Sequence, residues 1–190
     1  LMEVMLGDHL EEVGSYAFAR CSSLSFMSLP AQTTRLGVSP FHDCIMLLEI
    51  EVDPNNPCYS SIDGILYNKE QTQLIQYPAG LYDDDLYRIP DTVQEIAENA
   101  GYDAQDLEVL VIPESVRKIG DMAFAFCDKL RKVEIRVADP AQVEVGIMAL
   151  FSVAGTARKL IVPKGSSKLY KKSESWLEFT SNIVEAKDKG

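Results

Sequence analysis

Gly14-Ser15-Tyr16-Ala17-Phe18-Ala19-Arg20-Cys21, with Leu24, Met27, Leu29 and Pro30 behind it, decides the fold, because the chain repeats this register against itself. Adding 23 to the positions gives Gly37, Pro40, Phe41, Cys44, Leu47, Ile50 and Val52. Gly120, Ala123, Phe124, Cys127, Leu130, Val133 and Ile135 carry the register again, and Ala97, Ala100, Gly101, Ala104, Leu107, Leu110 and Ile112 form a degenerate copy. A fixed period of this size marks a solenoid, whose units cannot bury their apolar faces alone and stack to form one continuous core. Solenoids serve as binding surfaces more often than as catalytic cavities.

Each unit has two parts. The Leu-x-x-Val-x-Ile segment of Leu130 to Ile135 alternates apolar and variable positions, which predicts a short strand with Val133 and Ile135 inward and Glu134 outward. Pro30, Pro90, Pro113 and Pro163 end such strands, since proline cannot extend a ladder. In the second part, Ile119 to Cys127, Gly120 is expected to permit a turn with positive φ, and Ala123-Phe124 to begin a single helical turn whose Phe plugs the space between layers. The strands should pair into one parallel sheet.

Regularity breaks between Asp53 and Pro90. Asp53-Pro54-Asn55-Asn56-Pro57 is rich in turn formers. Ser61 to Tyr67 and Gln73 to Pro78 read as two strands joined by Asn68 to Thr72, a hairpin inserted at about 54–86, after which Tyr87-Arg88-Ile89 resumes the main sheet. Residues 1–163 are therefore read as repeats and 164–190 as a C-terminal cap and tail, with Tyr170, Trp176, Leu177, Phe179 and Ile183 covering the open end of the core. Gly101 lacks the Phe plug, so the layer from Gly101 to Gln105 is expected to be loose or rearranged.

The 190 residues carry a formal charge of −11, a pI near 4.6 and 46% hydrophobic side chains. That balance disfavours nucleic acid and anionic membrane surfaces, which recruit Lys and Arg. No apolar run approaches the ~18 residues of a membrane span, and none of the 190 residues is expected to form a signal peptide. Leu1, Val4 and Leu6 fall on the register of Leu24, Met27 and Leu29, so the sequence is expected to open inside a repeat of a longer chain. Cys21, Cys44 and Cys127 share one repeat position suited to a small buried hydrophobe, and free thiols are expected there in preference to a Cys21–Cys44 disulfide.

Taken together, Ile119-Gly120-x-x-Ala123-Phe124-x-x-Cys127-x-x-Leu130-x-x-Val133-x-Ile135, Asn56-Pro57-x-Tyr59-Ser60-Ser61-x-Asp63-Gly64-Ile65-Leu66-Tyr67-Asn68-Lys69, and the ending Val162-Pro163-x-Gly165 with Tyr170, Trp176 and Phe179 resemble the BspA-type leucine-rich repeat family of bacterial surface proteins. The resemblance covers nearly the whole chain. It implies a right-handed leucine-rich repeat solenoid with a curved parallel β-sheet on its concave side and short helical turns on its convex side. It also implies export to the cell surface and adhesion to host or bacterial proteins.

No catalytic constellation is legible. His9 and His42 read as surface residues, and no Cys or His spacing matches a zinc site. Asp83-Asp84-Asp85 lacks the alternation of a calcium loop and reads as solvated chain. No catalytic residue, metal site or cofactor is assigned. The binding reading has more content, because outward strand residues line the concave face. These are Phe26 and Ser28, Glu49 and Glu51, Arg88, Val109 and Val111, Lys132 and Glu134, and Lys159 and Ile161. Phe26, Val109, Val111 and Ile161 would be exposed apolar groups, a sign of an interaction face for a protein ligand. A structural spacer in a longer array and a carbohydrate-binding accessory are the competing readings.

Overall fold

The computed structural model describes residues 3–82, 85–152 and 158–187. The order is β1 (Glu3–Met5), β2 (Glu12–Val13), β3 (Phe26–Leu29), β4 (Arg35–Leu36), β5 (Glu49–Val52), β6 (Tyr59–Ile62), β7 (Ile65–Asn68), β8 (Gln73–Gln76), β9 (Leu86–Arg88), β10 (Glu95–Ile96), β11 (Val109–Ile112), β12 (Lys118–Ile119), β13 (Lys132–Ile135), β14 (Glu144–Val145) and β15 (Lys159–Val162). The helix α1 (Ser167–Tyr170), a 3-10 segment (Glu174–Asn182) and β16 (Ile183–Glu185) follow.

A regular layer takes one long strand, a turn that proline marks at Pro30, Pro90 and Pro113, a two-residue strand and a run of turns. Alternation places the core: Met27 and Leu29, and Val133 and Ile135, are buried, with Ser28 and Glu134 between them half-buried on the other side of the strand, while in β11 Leu110, Val111 and Ile112 are all buried. Strands pair in parallel at the 23-residue register, as in Phe26 with Glu49 and Val109 with Lys132. A buried polar column closes the turns that follow the long strands of the first layers. Thr33 donates to the Leu10 carbonyl at 2.7 Å, and Asn56 donates to the carbonyls of Thr33 and Pro30 at 2.8 and 2.9 Å.

The long strands do not form one sheet. β1-β3-β5 is one sheet and β9-β11-β13-β15-β16 another. Between them stands the insertion, which is a three-stranded meander and not the two-stranded hairpin expected. The stretch read as one strand, Ser61 to Tyr67, is broken by a turn at Asp63 (φ 50°) and Gly64 (φ 76°), so β6 and β7 pair antiparallel and β7 then pairs with β8. β8 in turn pairs in parallel with β10, making the meander the end of the sheet β10-β12-β14.

Two cores result. The first holds Leu24, Met27, Phe41, Leu47 and Ile50; the second runs from Ile65 through Leu110 and Val133 to Trp176. β7 is the partition. Leu66 belongs to the first core and its neighbours Ile65 and Tyr67 to the second, as alternation across a strand dictates. β8 does the same with Leu74 and Ile75.

The turn face also differs from expectation. Turns occupy residues 15–20 and 121–126, with no helix. Their N–H groups bond the next layer: Tyr16, Phe18 and Arg20 donate to Val38, Pro40 and His42, and Asn99, Gly101 and Asp103 donate to Asp121, Ala123 and Ala125. The positive φ angles fall on Tyr16, Ser39, Asn99 and Met122, not on Gly120. Gly37 and Gly120 are glycine for space, since a Cβ would meet the backbone of the preceding turn at 2.2 and 2.5 Å.

At the C-terminal end Tyr170, Trp176 and Phe179 are buried in the second core, while Leu177 is exposed and Ile183 half-buried in β16. β16, a strand the sequence reading did not assign, pairs in parallel with β15.

Candidate functional site

The long-strand face presents the predicted residues in two rows fixed by strand register. One row runs Phe26–Glu49 and then, past the meander, Val109–Lys132–Lys159. The other runs Ser28–Glu51 and then Arg88–Val111–Glu134–Ile161. The structure thus brings the candidates into register but divides them between two sheets.

Exposure corrects one expectation. Val111 is 3% exposed, so it is no open apolar group; its register neighbours Arg88 and Glu134 are long side chains able to cover it with their stems. Phe26, Val109 and Ile161 are half-buried. Glu49, Glu51, Arg88 and Lys159 are exposed, and Lys132 and Glu134 half-buried. The charged groups therefore present more of themselves to a partner than the apolar ones do.

Their charges are segregated. Glu49 and Glu51 stand on the first sheet; Arg88, Lys132 and Lys159 stand on the second. Glu134 is the acid among the latter, and Arg136 at 3.4 Å and Lys132 at 3.9 Å offset it. In a chain of net charge −11, a basic half-face is a local inversion. Each half carries a groove. That of about 670 Å³ is lined by Met5, Phe26, Ser28, Glu51 and Asp53 among others, and that of about 470 Å³ by Ile62, Tyr67, Tyr77, Tyr87 and Arg88 among others. Beneath the second, the Tyr67 and Tyr87 hydroxyls share a hydrogen bond of 2.6 Å, and burial pushes the Tyr67 phenol up to about 12. That pair stays protonated and fills space; it has no proton to trade at neutral pH.

All four cysteines are free thiols. The Sγ of Cys44 donates to the Phe18 carbonyl at 3.0 Å and that of Cys127 to the Gly101 carbonyl at 3.2 Å. Burial pushes these thiols up to about 11 and about 12, far from a reactive thiolate. The repeated Cys is thus an interlayer hydrogen-bond donor as well as a small apolar filler. Among the described residues no group of three or more His, Cys, Asp or Glu is placed to hold a metal ion. Of the acidic run, Asp83 and Asp84 lie outside the described residues and Asp85 is exposed.

Sequence reading missed the surroundings of His42. Its ring lies 5.8 Å from Tyr16 and 4.6 Å from Tyr102, and burial lowers its pKa, so it is an uncharged member of an aromatic row and not an isolated surface His. The spacing from 42 to 102 spans the insertion, which hides it from a 23-residue register.

Comparison with known proteins agrees with this architecture. The pattern of the BspA type leucine-rich repeat region matches residues 1–82 and 86–172 in six copies, and the chain belongs to that family. A leucine-rich repeat protein of Eubacterium ventriosum is similar in structure, with a TM-score of 0.70 and 28% identity over 81% of this chain and 40% of that one. A leucine rich cell surface protein of Faecalibacterium prausnitzii shares the fold with a TM-score of 0.71 and 23% identity over 96% of this chain and 53% of that one. The pneumococcal vaccine antigen PcpA does so at a TM-score of 0.56 and 20% identity, over 94% and 60%. The chain spans about two fifths to three fifths of the length of these proteins. Among proteins of curated function, none matches the sequence.

Proposed function

We propose that this chain is a non-enzymatic, exported cell-surface module that binds a protein partner through its long-strand face, as an adhesin does. The observation that carries the reading is the segregation of charge on that face, with Glu49 and Glu51 on one sheet and Arg88, Lys132 and Lys159 on the other. A preformed surface of this kind loses little entropy on binding, and opposed charge at its two ends fixes the orientation of a partner. Family membership and the likeness to a protein described as a cell surface protein support the location. No described helix is long and apolar enough to cross a membrane.

The test is surface plasmon resonance against a panel of host extracellular proteins and bacterial surface proteins at low and high salt. A saturable interaction that weakens with salt is expected, and the paired change Arg88→Glu/Lys132→Glu should weaken it by about tenfold or more while leaving the melting temperature in place. Val111→Asp is the wrong probe, because it would bury a carboxylate. Binding untouched by the charge reversal would move the site off this face. No saturable interaction across the panel would favour the spacer.

A further inference from the structure

A second surface, on the turn face, carries chemistry of its own. Five rings from successive layers run along it. Tyr16 meets His42 edge-on at 5.8 Å, His42 meets Tyr102 at 4.6 Å, Tyr102 meets Phe126 at 5.2 Å and Phe126 meets Phe151 at 5.6 Å. Tyr16 and Phe151, at the two ends of the row, are exposed, and His42, Tyr102 and Phe126 between them are half-buried. A continuous row of partly exposed rings needs a reason that scattered apolar groups do not.

Carboxylates flank the rings. Glu98 accepts a hydrogen bond from the Tyr16 hydroxyl at 3.0 Å. Asp43 and Asp103 directly follow His42 and Tyr102, and the Asp103 carboxyl is raised by burial and then by repulsion from Asp43 and Asp128. Against these four acids the ridge sets Arg20, 3.7 Å from Asp43. The Nδ1 of His42 is buried without a hydrogen-bond partner, a polar atom left unsatisfied midway along the row.

We propose that this aromatic ridge, edged by Glu98, Asp43, Asp103 and Asp128, docks an extended basic peptide segment rich in arginine. Guanidinium planes stack on aromatic rings and fork to carboxylates, so one side chain satisfies both features of the ridge. Five layers spaced about 4.8 Å apart span about 19 Å, the reach of about six residues of extended chain. A glycan fits less well. Sugars stack on open, flat ring faces, whereas these rings meet one another at interplanar angles of 53° to 87° and offer a corrugated edge. The site is independent of the long-strand face and stands or falls without it.

The test is fluorescence anisotropy of a labelled peptide of about eight residues alternating Arg and Pro, titrated with the full chain; proline holds it extended. Saturable binding that weakens with salt is expected, with a Lys-Pro peptide weaker and a Glu-Pro peptide silent. Tyr102→Ala and Asp103→Asn should each weaken binding by about fivefold. Asp91→Asn removes the same charge elsewhere and should not. If circular dichroism shows that Tyr102→Ala does not fold, Asp103→Asn decides, since it leaves the rings in place. Absence of Arg-Pro binding overturns the proposal. So does binding that Asp103→Asn leaves unchanged, or tighter binding of a β-linked glucan oligosaccharide than of the peptide.

Discussion

Gly101 shows how one residue reorganises a layer. Its repeat position calls for Phe, as at Phe41 and Phe124, and its loss predicts a layer that is loose or rearranged. Of the two, the layer is rearranged. A Cβ at Gly101 would lie 2.2 Å from the Phe124 ring, so Phe124 has moved into the vacated space. Tyr77, arriving from the meander, supplies the missing bulk: its N–H bonds the Ala100 carbonyl at 2.6 Å and its ring lies 6.1 Å from Phe124 and 4.9 Å from Tyr87. Tyr77→Ala should therefore cost about 3–5 kcal/mol in urea unfolding, as for a core aromatic. Gly101→Phe, which restores the repeat, should destabilise too, because the space is taken. A stabilised Gly101→Phe variant would show that the layer is loose after all.

At the scale of the element, β7 is the informative strand. Ile65-Leu66-Tyr67 is a continuous apolar run, which periodicity cannot tell from any other buried strand. It is apolar on both faces because it separates two cores. Leu66→Ala should then loosen the first block and Ile65→Ala the second, each by about 2–5 kcal/mol. Hydrogen exchange reads the difference: Leu66→Ala should speed amides of β3 and β5, and Ile65→Ala those of β11 and β13. Equal effects on both blocks would mean a single cooperative core. The long strands of the regular repeats were readable in advance, because Val133 and Ile135 alternate with Glu134 and proline marks their ends. The turn at Asp63-Gly64 was readable in principle, since Asp-Gly is a strong hairpin signal, but the flanking apolar residues concealed it. The aromatic ridge was not, because its members come from different positions of the repeat and straddle the insertion.

For the whole molecule, the register placed Glu49, Arg88, Lys132 and Lys159 on one face without coordinates, whereas the burial of Val111 depends on neighbours that only stacking brings near. The same stacking leaves a seam. Within each block every layer is stitched to the next by a ladder of strand hydrogen bonds, yet β5 and β9 belong to separate sheets. What joins the blocks there is the meander together with single contacts, such as Gly80 N–H to the Leu47 carbonyl at 2.8 Å and the Tyr16 hydroxyl to Glu98 at 3.0 Å. A protein tethered at one end and gripped at the other carries load along its axis, and a load is borne worst where the fewest bonds share it. Pulled from its ends in an optical trap, this chain should yield at the seam and extend in two steps, one block after the other; a single rupture would mean that the meander welds the blocks into one spring.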